Sequence, residues 1–239
     1  MTVASSTLLG REEVAEGTVA VHLAKPQGFV FRPGQAIDVM LPGTDGVGDA
    51  HRHAFSIVTA PYQPGLTIAT RMRDSAYKRA LAALPVGSQL GIDGPFGSLT
   101  LHRDRKRPAL FIAGGIGITP FVSMLRHATL DEPPRRLALL YANHRPEDAA
   151  FLDELQDLER RLLEFRFLPT MTRMKESRVA WSGATTAIDA ALVREACANM
   201  TAPICYVAGP PAMVSGARKV LIEAGIDDDE IRSEEFHGY

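Results

Sequence analysis

Hydrophobic and polar positions follow two different patterns along this chain, and the change falls near its middle. In the first half, apolar residues recur with period 2 in short runs, which is the pattern of half-buried strands. These runs are "TVAVHLAK", "QAIDVMLP", "HAFSIVTAP", "LTIATRMR" and "SQLGIDGPFG". Proline and glycine separate them, and "SAYKRALAAL" is the helix predicted in this half. Closely spaced strands of this kind predict an antiparallel β-barrel or sandwich.

In the second half, continuous apolar runs alternate with amphipathic helical segments. The predicted strands are "ALFIAG", "RRLALLYANH", "LEFRFLPTMT", "APICYVAG" and "IRSEEF". The predicted helices are "TPFVSMLRHA", "PEDAAFLDELQDLERRLL", "TTAIDAALVREACA" and "PPAMVSGARKVLIEAG". This alternation predicts an α/β domain with a doubly wound, mostly parallel sheet, whose ligands bind at the carboxyl ends of strands. The charged run "HRDRKRP" lies between the halves, so we place the boundary near Asp104, with domains over 1–104 and 105–239.

The uncharged stretch "LFIAGGIGITPFVSML" (110–125) is near the minimum length for a membrane span. Its clustered glycines and Pro120 are more typical of a turn between a buried strand and a helix. Thr119 is the predicted N-cap, with Pro120 at the first helical position. Such a turn aims backbone N–H groups and the positive end of a helix at a phosphate. A tight turn that binds nothing is the alternative at this point.

Charge and cysteine content exclude several classes of protein. The formal net charge of −2 gives no reason to expect nucleic acid or an anionic membrane as the main partner. Cys197 and Cys205 are too few for an iron–sulfur cluster of the chain's own. His51 and His53 share a strand face, but a third metal ligand is not near them in the sequence, so we predict no metal. Because the N-terminus has neither a basic start nor a long apolar segment, we expect a cytoplasmic protein.

Four motifs in order resemble the ferredoxin–NADP reductase superfamily of flavoproteins over nearly the whole chain. They are "HAFSIVTAP" (53–61), "GPFGSL" (94–99), "AGGIGITP" (113–120) and "YVAGPPAM" (206–213), followed by the ending "EEFHGY". The resemblance implies an FAD-binding barrel followed by an NAD(P)-binding domain. It also implies an NAD(P)H-dependent flavin oxidoreductase with FAD as cofactor (FMN is less favoured) and NADPH or NADH as co-substrate.

The resemblance places the flavin ring against the first two motifs. Phe55 matches the aromatic residue that lies against the ring, and Ser56 matches the hydroxyl near its reactive N5 atom. The other implied flavin-binding positions are Ala54, Gly94, Gly97 and Ser98.

The flavin pyrophosphate site departs from the family pattern. The family has arginine three residues before the serine, where this chain has His53 with Arg52 beside it. The form His-x-Phe-Ser resembles the ferric-reductase and NADPH-oxidase branch, and the choice between Arg52 and His53 stays open. Ser75 and Lys78 stand where the family has a helix-start turn that binds the pyrophosphate, and Arg71 is a further candidate.

The resemblance places the nicotinamide nucleotide in the second half. Its implied diphosphate loop consists of Gly114, Gly115, Gly117, Thr119 and Pro120. The turn beside the nicotinamide consists of Gly209, Pro210 and Met213, with Ala208 where the family frequently has cysteine.

Two arginines and the C-terminal residues complete the implied site. Arg145 and Arg173 could bind the 2′-phosphate of NADPH, or could be ordinary surface charges. Glu234 and Phe236 match a family acid and aromatic, and Tyr239 is a further aromatic. With Ser56 these are the predicted catalytic residues, and one of the two rings is expected to stack over the flavin.

The electron acceptor is expected to be a separate molecule, such as ferredoxin or flavodoxin. The basic residues Arg103, Arg105, Lys106 and Arg107 could form its docking face or could be a solvated linker. Three alternatives stay open: a free-flavin reductase, a reductase component of an oxygenase or other multicomponent system, and a non-enzymatic nucleotide-binding module. The electron-transfer subunit of dihydroorotate dehydrogenase shares the architecture but needs more cysteines.

Overall fold

The computed structural model describes residues 3–42 and 51–237, and the first of its two sheets is antiparallel. Its strands are β1 (Ala4–Ala15), β2 (Thr18–Ala24), β3 (Ala36–Met40), β4 (Arg52–Ser56), β5 (Gly65–Arg71) and β6 (Gln89–Phe96). Helix α1 (Ala76–Ala83) connects β5 to β6. The order is β4-β3-β6-β1-β2-β5, and the chain closes the sheet where the Val58 amide donates to the Thr67 carbonyl at 2.8 Å. The predicted antiparallel β-barrel is confirmed.

The second sheet is parallel in all its pairs and has the order β11-β10-β7-β8-β9. Its strands are β7 (Ala109–Gly114), β8 (Leu137–Asn143), β9 (Phe165–Met171), β10 (Ile204–Gly209) and β11 (Ile231–Glu235). Its helices are α2 (Thr119–Ala128), α3 (Leu152–Arg161), α4 (Ala190–Ala196) and α5 (Pro211–Glu223). Separate apolar cores lie on the two faces, and every residue of the central strands β7 and β10 is buried. The predicted doubly wound α/β domain is confirmed.

Strand β1 was not predicted, because its hydrophobic pattern changes along its length. It pairs with β6 through Ala4–Thr7 and with β2 from Leu8 onward. Register shifts at Leu8/Gly10 and Glu13/Ala15 interrupt the alternation of inward and outward side chains. A strand that changes partners and contains bulges has no clean period of two.

The helix predicted over 146–163 is wrong in its first part. Residues Pro146–Asp148 form a single 3₁₀ turn, and Phe151 has a left-handed backbone with φ of 60°. Helix α3 then starts at Leu152. Asp148, an acidic residue of the kind that favours the first turn of a helix, turns its carboxylate toward Arg145 and the barrel. A tertiary ion pair has overridden the local preference.

Two predicted helix starts also differ. Thr119 is the first residue of α2, and its hydroxyl donates to the Ile116 carbonyl at 3.0 Å instead of capping the helix. A 3₁₀ turn, Gly115–Ile118, fills the space where the cap was expected. The helix predicted over 185–198 begins only where Asp189 accepts from the Leu192 amide at 2.8 Å.

The two sheets contact each other through several polar links. The Ser123 hydroxyl of α2 donates to the Thr59 carbonyl at 2.6 Å. The Glu16 amide donates to the Glu147 carbonyl at 2.7 Å. The change of sheet falls between Phe96 and Ala109, and the boundary near Asp104 stays a prediction. Within residues 3–42 and 51–237, no helix is both long and apolar enough to cross a membrane.

Candidate functional site

A first cavity, called cavity A here, has a volume of about 240 Å³ and lies between the barrel and the C-terminal strand. Its barrel wall includes four consecutive residues of β4, from His53 to Ser56. The opposite wall includes Thr119 and residues 234–237. Three small or aromatic side chains complete the barrel wall, namely Ala36, Ala69 and Phe96. A flat apolar ring fits such a wall.

Strand β4 turns two neighbouring side chains in opposite directions. His53 stacks on Phe55 with ring centroids 4.8 Å apart, and the Tyr77 ring lies 5.4 Å from His53. Arg52 is held by two carboxylates, with its Nε 2.8 Å from Asp38 and its Nη2 2.8 Å from Asp93. His53 lines cavity A, whereas Arg52 is not in the described wall and its guanidinium is paired with Asp38 and Asp93. His53 is therefore the one of these two residues that the proposed flavin site includes.

Cavity A contains two polar groups with no partner among the residues that the structure describes. Ser56 is 7% exposed, and its hydroxyl makes no hydrogen bond to any of them. Burial also raises the pKa of the Glu234 carboxyl, which has no ion pair within that part of the chain. Polar groups that are partly removed from water are stabilised by a hydrogen-bond partner, so both groups suit a ligand that supplies one.

The C-terminal aromatic Phe236 lies in the wall of cavity A. Its amide donates to the Gly209 carbonyl at 2.9 Å, which fixes Phe236 against the end of β10. Tyr239, the other predicted ring, lies outside the described residues.

Four predicted flavin positions support the site without lining either cavity. A Cβ on Gly94 would lie 3.2 Å from the Ala36 carbonyl, so β6 packs closely on β3 there. Gly97 and Ser98 follow β6 directly. The Ser75 hydroxyl accepts from the Lys78 amide at 3.2 Å and so caps α1.

Lys78 is 4% exposed, and burial lowers the pKa of its ammonium, with Arg73 adding to the effect. Its predicted contact with the flavin pyrophosphate stays a prediction.

A second cavity, called cavity B here, also has a volume of about 240 Å³ and lies at the carboxyl ends of the parallel strands. The sheet side supplies Gly114, Gly115, Ile116, Ala142, Asn143, His144, Asp148, Thr172, Pro210 and Met213. Arg71 and Arg73 come from the barrel. The 3₁₀ turn Gly115–Ile118 and the following Thr119 separate cavity B from cavity A. The two cavities therefore lie at opposite ends of one short segment, residues 115–119.

Gly117 is required for close packing of two chain segments. A Cβ at this position would lie 2.2 Å from the Ala208 carbonyl oxygen. Gly114 packs in the same way against Met213, whose Cγ would be 3.0 Å from an added Cβ. Neither Gly117 nor Pro120 is in the wall of cavity B. The motifs 113–120 and 206–213 thus interlock, with Gly114 and Gly115 facing the cavity.

The arginines of cavity B are not the two that the sequence suggested for NADPH. Arg145 is bound by Asp148 at 2.8 and 3.0 Å, and neither Arg145 nor Arg173 appears in the described wall of the cavity. Arg71 lies beside the glycine turn in the wall of cavity B, and its predicted contact with the flavin pyrophosphate stays a prediction. Arg73 was missed; it lies two residues beyond Arg71, the last residue of β5, where the strand pattern has ended.

The end of β8 brings polar groups to the same cavity. Asn143 is 7% exposed, and its amide has no hydrogen-bond partner within 3.5 Å in the described residues. His144 Nδ1 lies 3.3 Å from the Thr172 hydroxyl, and burial lowers the pKa of His144. Sequence reasoning placed Asn143 and His144 only at a strand end. An amide, an imidazole and two guanidiniums around one cleft suit a polar, anionic ligand such as a nucleotide.

The fold and the two cavities together are typical of one class of protein, the two-domain flavoproteins that bind a nucleotide. Residues 111–219 match the family of oxidoreductase NAD-binding domains. The chain is 31% identical over 221 residues to ferredoxin–NADP reductase B of Sorangium cellulosum, covering 89% of this chain and 88% of that protein. The chain therefore belongs to the ferredoxin–NADP reductase superfamily.

Two further comparisons show the extent of the likeness. The chain is 29% identical over 234 residues to the reductase component of propane 2-monooxygenase from Rhodococcus jostii. The match covers 94% of this chain but 61% of that protein, so the chain spans about three fifths of that relative's length. The fold is similar to that of a ferredoxin NADP⁺ reductase from Neisseria gonorrhoeae with bound FAD and NADP, with a TM-score of 0.83 and 20% identity. That match covers 98% of this chain and 99% of the other.

Proposed function

We propose that the protein is an FAD-dependent NAD(P)H oxidoreductase that passes electrons to a separate acceptor. The observation that carries the proposal is that cavity A and cavity B flank one short segment, residues 115–119. In cavity A the Ser56 hydroxyl has no partner among the described residues, and cavity B contains two arginines of the barrel. Membership of the superfamily supports it. The division into domains 1–104 and 105–239 and a cytoplasmic location, where reduced nicotinamide nucleotides are available, belong to the same proposal.

In cavity A the residues would hold a flavin ring and control access to it. A bound flavin supplies an acceptor for two electrons at its N5 atom and releases them singly or in pairs. The stacked His53 and Phe55 give an aromatic face, and Ser56 gives a hydrogen-bond donor. Glu234 lies in the same wall, and burial raises the pKa of its carboxyl. Phe236 covers the cavity from the C-terminal side and excludes water.

In cavity B the residues would bind and orient the nicotinamide nucleotide. Arg71 and Arg73 compensate the charge of its diphosphate, while Gly114 and Gly115 allow the ligand to approach the backbone. Asn143 supplies an amide that lacks another partner in the described residues. We propose NADPH or NADH as the substrate, with both barrel arginines favouring an anionic nucleotide.

For the acceptor, two classes follow from the relatives. A ferredoxin- or flavodoxin-like carrier is proposed from the Sorangium cellulosum relative. The terminal component of an oxygenase is the second candidate, because the propane 2-monooxygenase relatives are reductase components. Two of the four basic residues predicted for docking are already paired, Arg105 with Asp131 at 3.2 Å and Arg107 with Glu230 at 3.0 Å. Arg103 and Lys106 are the remaining members of that proposed face.

The test is anaerobic stopped-flow spectroscopy of FAD-loaded protein with NADPH and NADH. We expect the yellow absorbance to bleach rapidly with at least one nucleotide and to return on addition of ferredoxin, flavodoxin or an oxygenase component. Loss of FAD on gel filtration, with turnover of added flavin, would show a free-flavin reductase. Protein that binds the nucleotide but shows no bleaching and no turnover of added flavin would refute the proposed function.

A further inference from the structure

We infer that Asp148 is a positioning residue that holds Arg71 of the barrel in cavity B for the diphosphate of the nucleotide. The inference rests on the proposed function, and it adds a residue of the α/β domain that acts through an arginine of the other domain.

Asp148 is anchored to its own domain. It ends the 3₁₀ turn that follows β8, and its side chain is 5% exposed. The Arg145 guanidinium forms a bidentate ion pair with the Asp148 carboxylate, with Nη2 2.8 Å from Oδ1 and Nε 3.0 Å from Oδ2. These hydrogen bonds lower the pKa of the Asp148 carboxyl. The group is therefore a fixed, ionised carboxylate at neutral pH.

The same carboxylate also reaches the barrel. Arg71 is the last residue of β5, and its Nη2 lies 3.3 Å from Oδ1 of Asp148. The Arg71 side chain is 37% exposed and lines cavity B opposite the glycine turn. One carboxylate oxygen thus binds an arginine from each domain. A long, flexible side chain on the rim of a cleft is held in one place by a rigid group of the other domain.

The charge balance leaves Arg71 available to an anion. Asp148 shares its negative charge between Arg145 and Arg71, and a second carboxylate, that of Glu16, lies 3.5 Å from Arg145. Arg73 adds a third positive charge at the cavity wall. The local sum is positive, so Asp148 orients the guanidinium without cancelling its charge. A preoriented guanidinium binds a diphosphate more tightly than a free one, because less side-chain freedom is lost on binding.

A pair of similar construction lies elsewhere between the sheets and serves as the control. Arg126 of α2 donates to the Val58 carbonyl of the barrel at 3.2 Å and is held by Glu154 at 2.6 and 2.8 Å. Neither residue lines cavity B. If Asp148 only holds the domains together, loss of the Glu154 carboxylate has the same kind of effect.

The experiment measures binding of ADP-ribose and of adenosine by calorimetry, and KM and kcat for NADPH and NADH, on FAD-loaded protein. For Asp148→Asn we expect about tenfold weaker ADP-ribose binding and about tenfold higher KM, as for loss of one charged contact, with kcat and adenosine binding unchanged. Asp148→Glu should recover part of the loss, and Glu154→Gln should leave all four quantities unchanged. In an Arg71→Met background, Asp148→Asn should add nothing further, because the residue acts through that arginine.

Three results would overturn the inference. They are unchanged ADP-ribose affinity in Asp148→Asn, additive effects of the Arg71 and Asp148 substitutions, or an equal loss in Glu154→Gln. If Asp148→Asn does not fold, the Arg71→Met variant, which changes a partly exposed side chain of cavity B, provides a second test. Unchanged ADP-ribose affinity in Arg71→Met also refutes the inference. Failure of the proposed function is seen separately, because the wild-type protein would then bind ADP-ribose without any bleaching of the flavin by NADPH or NADH.

Discussion

Replacement of Gly117 by alanine tests whether the turn Gly115–Ile118 must pack closely against the end of β10 at Ala208 and Gly209. In the structure, the added methyl carbon would lie 2.2 Å from the Ala208 oxygen, 2.5 Å from its carbonyl carbon and 2.7 Å from the Gly209 Cα. All three are backbone atoms of β10 or its end, so a rotamer change cannot remove the clash. Carbon and oxygen need roughly 3.5 Å, so the turn and the strand end must separate by about 1 Å.

The cost of this separation falls on the central sheet and on the site. Strand β10 pairs with both β7 and β11, and Gly209 also accepts the Phe236 amide. We expect Gly117→Ala to lower the free energy of unfolding by about 1–3 kcal/mol, the usual range for overpacking of a core. For a chain of this size, each kcal/mol lowers Tm by roughly 2–4 °C. The shift of the strand end should also raise KM for the nucleotide.

Urea unfolding and thermal melts of the two proteins measure the stability, and steady-state kinetics measure KM. The matched control is Gly216→Ala in the interior of α5, where an added Cβ meets nothing within 4 Å. There the same chemical change should stabilise the protein by about 0.5–1 kcal/mol, because alanine is the better helix former.

The two substitutions should therefore change stability in opposite directions. If Gly117→Ala is as stable as the wild type and binds the nucleotide equally well, the turns do not touch as described and the reasoning is refuted.

Three further predictions concern other parts of the molecule. Ser56→Ala should slow bleaching of the flavin by NADPH about tenfold in stopped-flow, as for loss of one hydrogen bond, with unchanged flavin retention; an unchanged rate would contradict the role of the hydroxyl. Arg52→Met should lower the urea midpoint through loss of the Asp38 and Asp93 pairs but leave FAD affinity unchanged; flavin loss from a normally stable protein would restore Arg52 as a phosphate ligand. Burial, with Arg135 nearby, lowers the pKa of His102, so the unfolded chain takes up a proton that the folded one does not. Stability should thus fall as pH drops below about 6.5, and His102→Asn should weaken this fall in urea midpoints; an equal pH dependence of both proteins would disprove it.

Much of the fold was predictable because its signals are local. The continuous apolar runs "ALFIAG" and "ICYVAG" are the central buried strands β7 and β10, and the predicted helix over 119–128 is α2. Hydrophobic period and turn residues decide such elements within a few positions. Strand β1 was missed because two different partners and two bulges erase its period.

The site was predictable where a motif presents a strand face, and not where partners are distant in sequence. Strand alternation puts His53 and Phe55 together, and the sequence motif had named both. The sequence could not show that Arg52 forms an ion pair with Asp93, 41 positions away, or that Arg71 forms one with Asp148, 77 positions away. These pairings decide which cations face each cavity.

The sequence by itself determined the two kinds of sheet, their order along the chain and the glycine turns at the strand ends, because each depends on neighbouring residues. Only the tertiary structure decided that Gly117 packs against Ala208 and that the barrel, through Arg71 and Arg73, supplies the cations of cavity B. The physical reason is that charge and close packing act through space, and the partners come from strands that meet only when both sheets have formed.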